Sequence, residues 1–358
     1  MLILGIESSC DETALALVED GKIVLSSLIA SQIATHAKWG GVIPEIAARE
    51  HLTAIRAMSV QLLSESGKTL SDIDAIAVTQ GPGLIGCLLV GATFAKGLAQ
   101  SAGKPIIAVN HVHAHVHGAL LGIDAPHEQI FPTLALVVSG GHTNLYYMKS
   151  CVNFELLAHT IDDACGESFD KVGKMMGLPY PGGPHVEVLA KQGTPQKVKM
   201  PRMVERKSQL LFSYSGLKTA VALAVQNMNK TGHRMEDIAH SFQEEALGQI
   251  LRKLTIALGI RPSTKSIIVA GGVAANGRFK ELMSHATTLP VWFPPLKYCS
   301  DNGAMIAALA FFQHRSEAIA TPCSTALEWD VFSRYPFEFF MAPEFSSAPT
   351  LNTVPKNS

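Results

Sequence analysis

Charged side chains are scarce. Asp, Glu, Lys and Arg make up 16% of the 358 residues, against roughly a quarter of an average soluble chain. The formal net charge is −1, so no global field draws the chain towards nucleic acid or an anionic membrane. Any such contact must come from a local patch. No run of about 18 uncharged apolar residues occurs, and the opening MLILGIESS lacks a basic stretch and a cleavage site. A cytoplasmic protein with no membrane span is therefore expected. The six cysteines (Cys10, Cys87, Cys151, Cys165, Cys299 and Cys323) contain no C-x-x-C pair, which excludes a cysteine-based metal site and favours reduced thiols. There is no G-x-x-x-x-G-K-[ST], hence no P-loop. GPGLIG, Gly81 to Gly86, does match G-x-G-x-x-G. The next strand, KPIIAVN, ends in Asn110 instead of a ribose-binding acid, which removes a nicotinamide site.

What the chain has in quantity is apolar residue, 47% of the total, and a length that suits about two domains. Two segments share one plan: LILGIESSCDETALALVEDGKIV and PTLALVVSGGHTNLYYMKS each read as strand, polar turn, strand. Later in each half, IDAIAVTQGPGLIGCLLVGATFAKGLAQ and KSIIVAGGVAANGRFKELM read as buried strand, Gly-rich turn and helix. The repetition predicts an α/β fold with partly parallel sheets, duplicated around a cleft. Backbone N–H groups in the glycine turns suit anions and close ligand approach.

VNHVHAHVHGAL carries His111, His113, His115 and His117 at alternate positions. Asn110 is a good N-cap, so the segment reads as a helix with two i,i+4 pairs, His111/His115 and His113/His117. Val112, Val116, Ala119 and Leu120 form the core stripe between them. His111 lies at the carboxyl end of a strand, where ligand crevices of α/β folds form. Its pair also continues towards Gly118, Ala119 and Gly122, small residues expected to leave room for a ligand. His111/His115 is therefore the preferred metal pair, with His113/His117 as the alternative or a second site. A zinc peptidase would need H-E-x-x-H, and Val112 or Ala114 stands where its glutamate should be. Asp301, in CSDNGAMIAALAFF, offers a third ligand, or else an ordinary helix cap. Asp11 and Glu12 occupy a polar turn that would face the same cleft. The stretch Lys191 to Lys207, with Lys38 and Arg49, is basic enough for phosphate contact or for a solvated loop.

These segments resemble the tRNA threonylcarbamoyladenosine transferase family, a group with the ASKHA fold of actin and hexokinase. The resemblance is carried by GIESSCDET (5–13), HAKWGGVIPEIAAREH (36–51), GPGLIGCLLVG (81–91) and NHVHAH. It continues through LVVSGGHTNL (136–145), DDACGESFDKVGKMMGLPYPGGP (162–184), FSYSGLKT (212–219), AGGVAANGRF (270–279) and CSDNGAMIA (299–307). It implies a two-domain ASKHA fold, with an N-terminal part at 1–131 completed by a helix at about 300–330, and a C-terminal part at 132–299. It also implies one divalent metal, Fe2+ or Zn2+, on His111, His115 and Asp301. The nucleotide positions it implies are Val137, Val138, Ser139, Gly140, Gly141, Asp170, Gly183 and Asn276, with a further acid at Glu187. Asp11 and Glu12 are the candidates for proton removal or substrate orientation.

The activity implied is transfer of a threonylcarbamoyl group from threonylcarbamoyl-AMP to the adenosine beside the anticodon of tRNAs that read codons beginning with A, releasing AMP. A paralogous ASKHA subunit and a small ATPase are the partners implied. His113 and His117 exceed the family pattern, and Cys165, Ser168 and Ser300 are small departures within it. From about Pro343 to Ser358 the Pro-, Ser- and Thr-rich composition reads as a flexible tail. Two other readings share the fold: a small-molecule kinase, which would hold Mg2+ by carboxylates and waters, and a non-catalytic binding platform.

Overall fold

The computed structural model describes residues 1–203, 210–316 and 328–334. Two sheets organise them. The first contains β1 (Leu2–Glu7), β2 (Glu12–Glu19), β3 (Ile23–Ser31), β4 (Ala75–Gly81) and β5 (Ile106–Asn110) in the order β3-β2-β1-β4-β5. β1 and β2 are antiparallel, as are β2 and β3, whereas β4 runs parallel to both β1 and β5. The second contains β6 (Thr133–Val138), β7 (Thr143–Ser150), β8 (Asn153–Thr160), β9 (Leu211–Phe212), β10 (Ser266–Ala270) and β11 (Val291–Trp292) in the order β11-β10-β6-β7-β8-β9. Removing β9 leaves β8-β7-β6-β10-β11, the first sheet's order and strand directions over again. The repeat expected from sequence is therefore a repeat of topology.

Residue choice explains each strand's place. β1, LILGIE, is buried throughout, as a central strand covered on both faces must be. β3 lies at the sheet edge and its residues alternate between exposed and half-buried, with Ile23, Leu25 and Ile29 on the open side. The helix Ile85–Ala102 is long and apolar enough to cross a membrane by length and composition alone. It packs here on β4 and on the helix Pro44–Ser66.

The element that positions the site is the helix Gly303–Arg315, GAMIAALAFFQHR, buried from Gly303 through Phe311. Its small residues let its backbone lie directly on β1. A Cβ on Gly5 would meet the Gly303 carbonyl oxygen at 2.1 Å, so no larger residue fits between strand and helix. Ile3, Ala16, Val18, Met305, Ile306 and Leu309 complete that layer. Each large side chain there contributes roughly 1.5–3 kcal/mol by burial. The helix thus holds the residues just before it, including Asp301, against the ends of β1 and β5.

Candidate metal centre and the surrounding cleft

β5 ends at Asn110, whose Oδ1 accepts the Val112 and His113 N–H groups at 2.9 and 3.1 Å and caps the helix His111–Leu120. The cap starts the helix at once, so His111 stands at the strand's carboxyl end and His115 one turn on. Their rings meet edge-on with centroids 4.8 Å apart. Asp301 Oδ1 lies 3.3 Å from His115 Nε2 and 3.7 Å from His111 Nε2. One ligand atom from each of the three falls within 4.8 Å of the others, the arrangement that a single cation could bridge. Among the described residues, no other group of His, Cys, Asp and Glu meets that condition.

Electrostatics bind the three together. Burial alone would neutralise Asp301, but His111 and His115 opposite hold its carboxyl well below the usual range. Burial would likewise lower His111, yet Glu7 and Asp301 outweigh it and raise the imidazole to about 9. Asp301 is not the helix cap. Asn302 performs that role, its Oδ1 accepting the Met305 N–H at 2.9 Å, and this leaves Asp301 to face the histidines.

Across the cleft, β6 delivers Val137 and Val138, both buried, and the turn Ser139-Gly140-Gly141. A Cβ on Gly140 or Gly141 would meet nothing within 4 Å, so the turn's backbone is open to a ligand. Gly271 is its counterpart at the end of β10: φ is +89° and a Cβ would strike the Val138 carbonyl oxygen at 2.4 Å. Asp170 and Gly183 come together, the Asp170 Oδ1 accepting the Gly183 N–H at 3.1 Å. Burial raises the Asp170 carboxyl above its ordinary value. Glu187 Oε1 accepts the Gly277 N–H at 3.1 Å and pairs with Lys191 at 3.0 Å. Asn276 caps the helix Gly277–Ala286 through Phe279, and its amide donates to Gln243 at 3.1 Å.

A family model described as tRNA N6-adenosine threonylcarbamoyltransferase matches residues 23–308. The chain belongs to that family. A relative of that name in Moorella thermoacetica is 45% identical over 317 residues, covering 87% of this chain and 92% of the relative. One in Bacillus subtilis is 45% identical over 316 residues, covering 86% and 89%. A crystal structure of component A of the (R)-2-hydroxyglutaryl-CoA dehydratase of Acidaminococcus fermentans superposes with a TM-score of 0.54 at 13% identity. It covers 88% of this chain and 100% of that one, a likeness of fold alone. The duplicated sheets are those of the ASKHA fold. The activity is that of a transferase acting on N6 of an adenosine in tRNA.

Several expectations need correction. Gly118 and Gly122 do not make room for a ligand. A Cβ on Gly118 would press the Tyr298 carbonyl oxygen at 3.3 Å, and one on Gly122 would strike Pro295 at 2.5 Å. These glycines admit the segment that carries Asp301. His113 and His117 form no second metal pair. His113 stacks on Phe154 with centroids 3.9 Å apart, and His117 Nε2 donates to the Cys151 carbonyl at 2.8 Å. Burial lowers them to about 3 and about 4, so both are neutral. Glu12 is pushed up to about 10, first by burial and then by the charges of Asp301 and Asp11. A proton on Glu12 is therefore favoured while Asp301 and Asp11 beside it are both ionised.

The basic loop is only partly described. Lys191, Lys197, Lys199 and Arg202 are exposed; Glu205, Arg206, Lys207, Cys323 and the tail from Pro343 lie outside the described residues. Of the helix expected at about 300–330, Gly303–Arg315 is described, and 317–327 lie outside.

Three further residues of the cleft do not emerge from the sequence reading. His142, half-buried with a buried, unpartnered Nδ1, has its ring 6.0 Å from that of His111. Tyr180 is raised by burial and by the charges of Asp11 and Asp170, one from each half of the molecule. Glu7 lies beneath His111. A carboxylate ending an otherwise apolar strand is the signal for Glu7; nothing in the sequence distinguishes the other two.

Proposed function

We propose that the chain transfers a threonylcarbamoyl group from threonylcarbamoyl-AMP to N6 of the adenosine beside the anticodon, in tRNAs reading codons that begin with A, as a metal-dependent enzyme. The observation that carries this reading is the convergence of His111, His115 and Asp301. His115 Nε2 faces only the Asp301 carboxylate, at 3.3 Å, and two imidazoles with one carboxylate suit Fe2+ or Zn2+ better than Mg2+. When bound, a divalent cation supplies charge neutralisation and Lewis acidity at an anionic acyl donor.

The remaining work falls to the chain's own residues. The open Ser139-Gly140-Gly141 turn, following Val137 and Val138, presents N–H groups to phosphate or carbonyl oxygens. Asp170, held by Gly183, and Glu187, beside Asn276, are acceptors for the hydroxyls and base of the adenosine moiety. The acceptor amine is a poor nucleophile because its lone pair is delocalised, so orientation and proton removal dominate. As the N–C bond forms, the C–O bond to the phosphate breaks and AMP leaves. Asp11 is the candidate for accepting the amine proton. Glu12, in the same turn, is the candidate for orienting the substrate.

The halves are assigned as 1–131 with the helix Gly303–Arg315, and 132–299. A paralogous ASKHA subunit and a small ATPase are the expected partners, in the cytoplasm. Leu52, Val60, Ile85 and Leu89 stand exposed on the packed helices Pro44–Ser66 and Ile85–Ala102 and support a protein contact there. The test is mass spectrometry of nucleosides from tRNA incubated with the protein, the donor and these partners. Threonylcarbamoyladenosine should accumulate. No product with every component present would favour a kinase or a binding platform.

A further inference from the structure

Glu7 is fully buried at the end of β1, where the residues before it are apolar. Its hydrogen bonding is nonetheless complete. Oε1 accepts the Ser9 N–H at 2.5 Å, and Oε2 accepts the Thr79 hydroxyl at 2.6 Å and the His111 Nδ1–H at 3.0 Å. Ser9 Oγ stands 3.2 Å from the same nitrogen. A buried carboxylate costs several kcal/mol unless it is paired, and the partner here is the outer nitrogen of the first ligand histidine. His115 has no such support: its Nδ1 is buried and unpartnered.

We infer that Glu7 is a positioning residue for the metal centre, fixing His111 as the Nδ1–H tautomer so that Nε2 presents its lone pair beside Asp301. The inference rests on the metal reading above. Two consequences follow from the charges and the geometry. A divalent cation takes the place of any proton on the two Nε2 atoms, so with Glu7 and Asp301 ionised the loaded buried cluster has zero net charge; without Glu7 it would be +1. The hydrogen bond also makes His111 a stronger and better-oriented ligand, the effect a carboxylate behind a metal-bound histidine has elsewhere. The centre is therefore lopsided, with His111 held from behind by β1 and β4 and His115 held only by its helix.

The experiment is titration of the full chain with Co2+ against a competing chelator, with the visible spectrum of the bound ion recorded. Glu7→Gln should bind Co2+ about 10–100-fold more weakly and with an altered spectrum, while circular dichroism stays as in wild type. Thr79→Val, which removes only the hydroxyl donor to Glu7, should show a smaller loss in the same direction. It decides the matter if Glu7→Gln does not fold. A folded variant with wild-type affinity and spectrum overturns the role of Glu7. A wild-type protein that binds no Co2+ overturns the metal reading, and this inference falls with it.

Discussion

One helix carries four histidines at alternate positions and uses them in two opposite ways. His111 and His115 turn towards Asp301 and keep ring nitrogens directed at a shared point. His113 and His117 turn towards Tyr146, Phe154 and Phe312, where they act as flat, neutral core residues. The residue type is the same and the spacing is the same. The difference is the partner. A carboxylate opposite Nε2 makes an imidazole a candidate ligand, whereas an aromatic ring opposite its face makes it packing.

The strongest way to break this comparison is to remove the carboxylate. Asp301→Ala should lower threonylcarbamoyl transfer by about a hundredfold to a thousandfold, the several kcal/mol that a cation supplies. Circular dichroism should be unchanged, since Asp301 sits outside the cap of its helix. A folded, metal-free Asp301→Ala protein with near-full transfer would sink the metal-dependent mechanism.

Next in size is metal content. Elemental analysis should find about one equivalent of a divalent transition metal, absent from His111→Ala or His115→Ala and retained by His113→Phe. The reverse pattern would show that His113/His117 is the metal pair.

Stability separates the pairs less sharply. His117→Ala leaves the Cys151 carbonyl buried without its donor and should cost about 1–3 kcal/mol in denaturant unfolding, with metal retained.

The pH response reads the same pair through its protons. His113 and His117, lowered to about 3 and about 4, stay neutral when folded, while unfolded histidine takes a proton near pH 6.5. Their contribution is present above about 6.5 and is lost as pH falls from there towards about 4. His113→Phe should flatten the fall in melting temperature over that window; an unchanged slope would count against a neutral, half-buried His113.

The smallest effect is expected at Asn276. Its replacement by Ala removes a helix cap worth about 1 kcal/mol, and adenine-nucleotide binding measured by calorimetry should weaken with the fold intact.

Much of this is legible in the order of residues. Asn110 announces the start of the histidine helix because a short polar side chain after an apolar strand has one local use. The repeated strand-turn-strand plan announces the duplicated sheets. What does not show is anything that depends on a partner from afar. Gly118 and Gly122 read as space, since a glycine in sequence gives no sign of what approaches it. Asp301 reads equally as a ligand or a cap, and only the bond between Asn302 and Met305 separates the two. Tyr180 and His142 carry no local signal at all.

The sequence by itself determined the elements, the repeat and the family, because periodicity, turn chemistry and motif order are local or linear properties. Tertiary structure decided which histidines meet a carboxylate, which acid joins them and which acid stands behind. Those choices are made by side chains more than 100 positions apart, brought together when Gly5 lets the helix Gly303–Arg315 close onto β1. Charge and burial then act over a few ångströms, a distance that the linear chain does not encode.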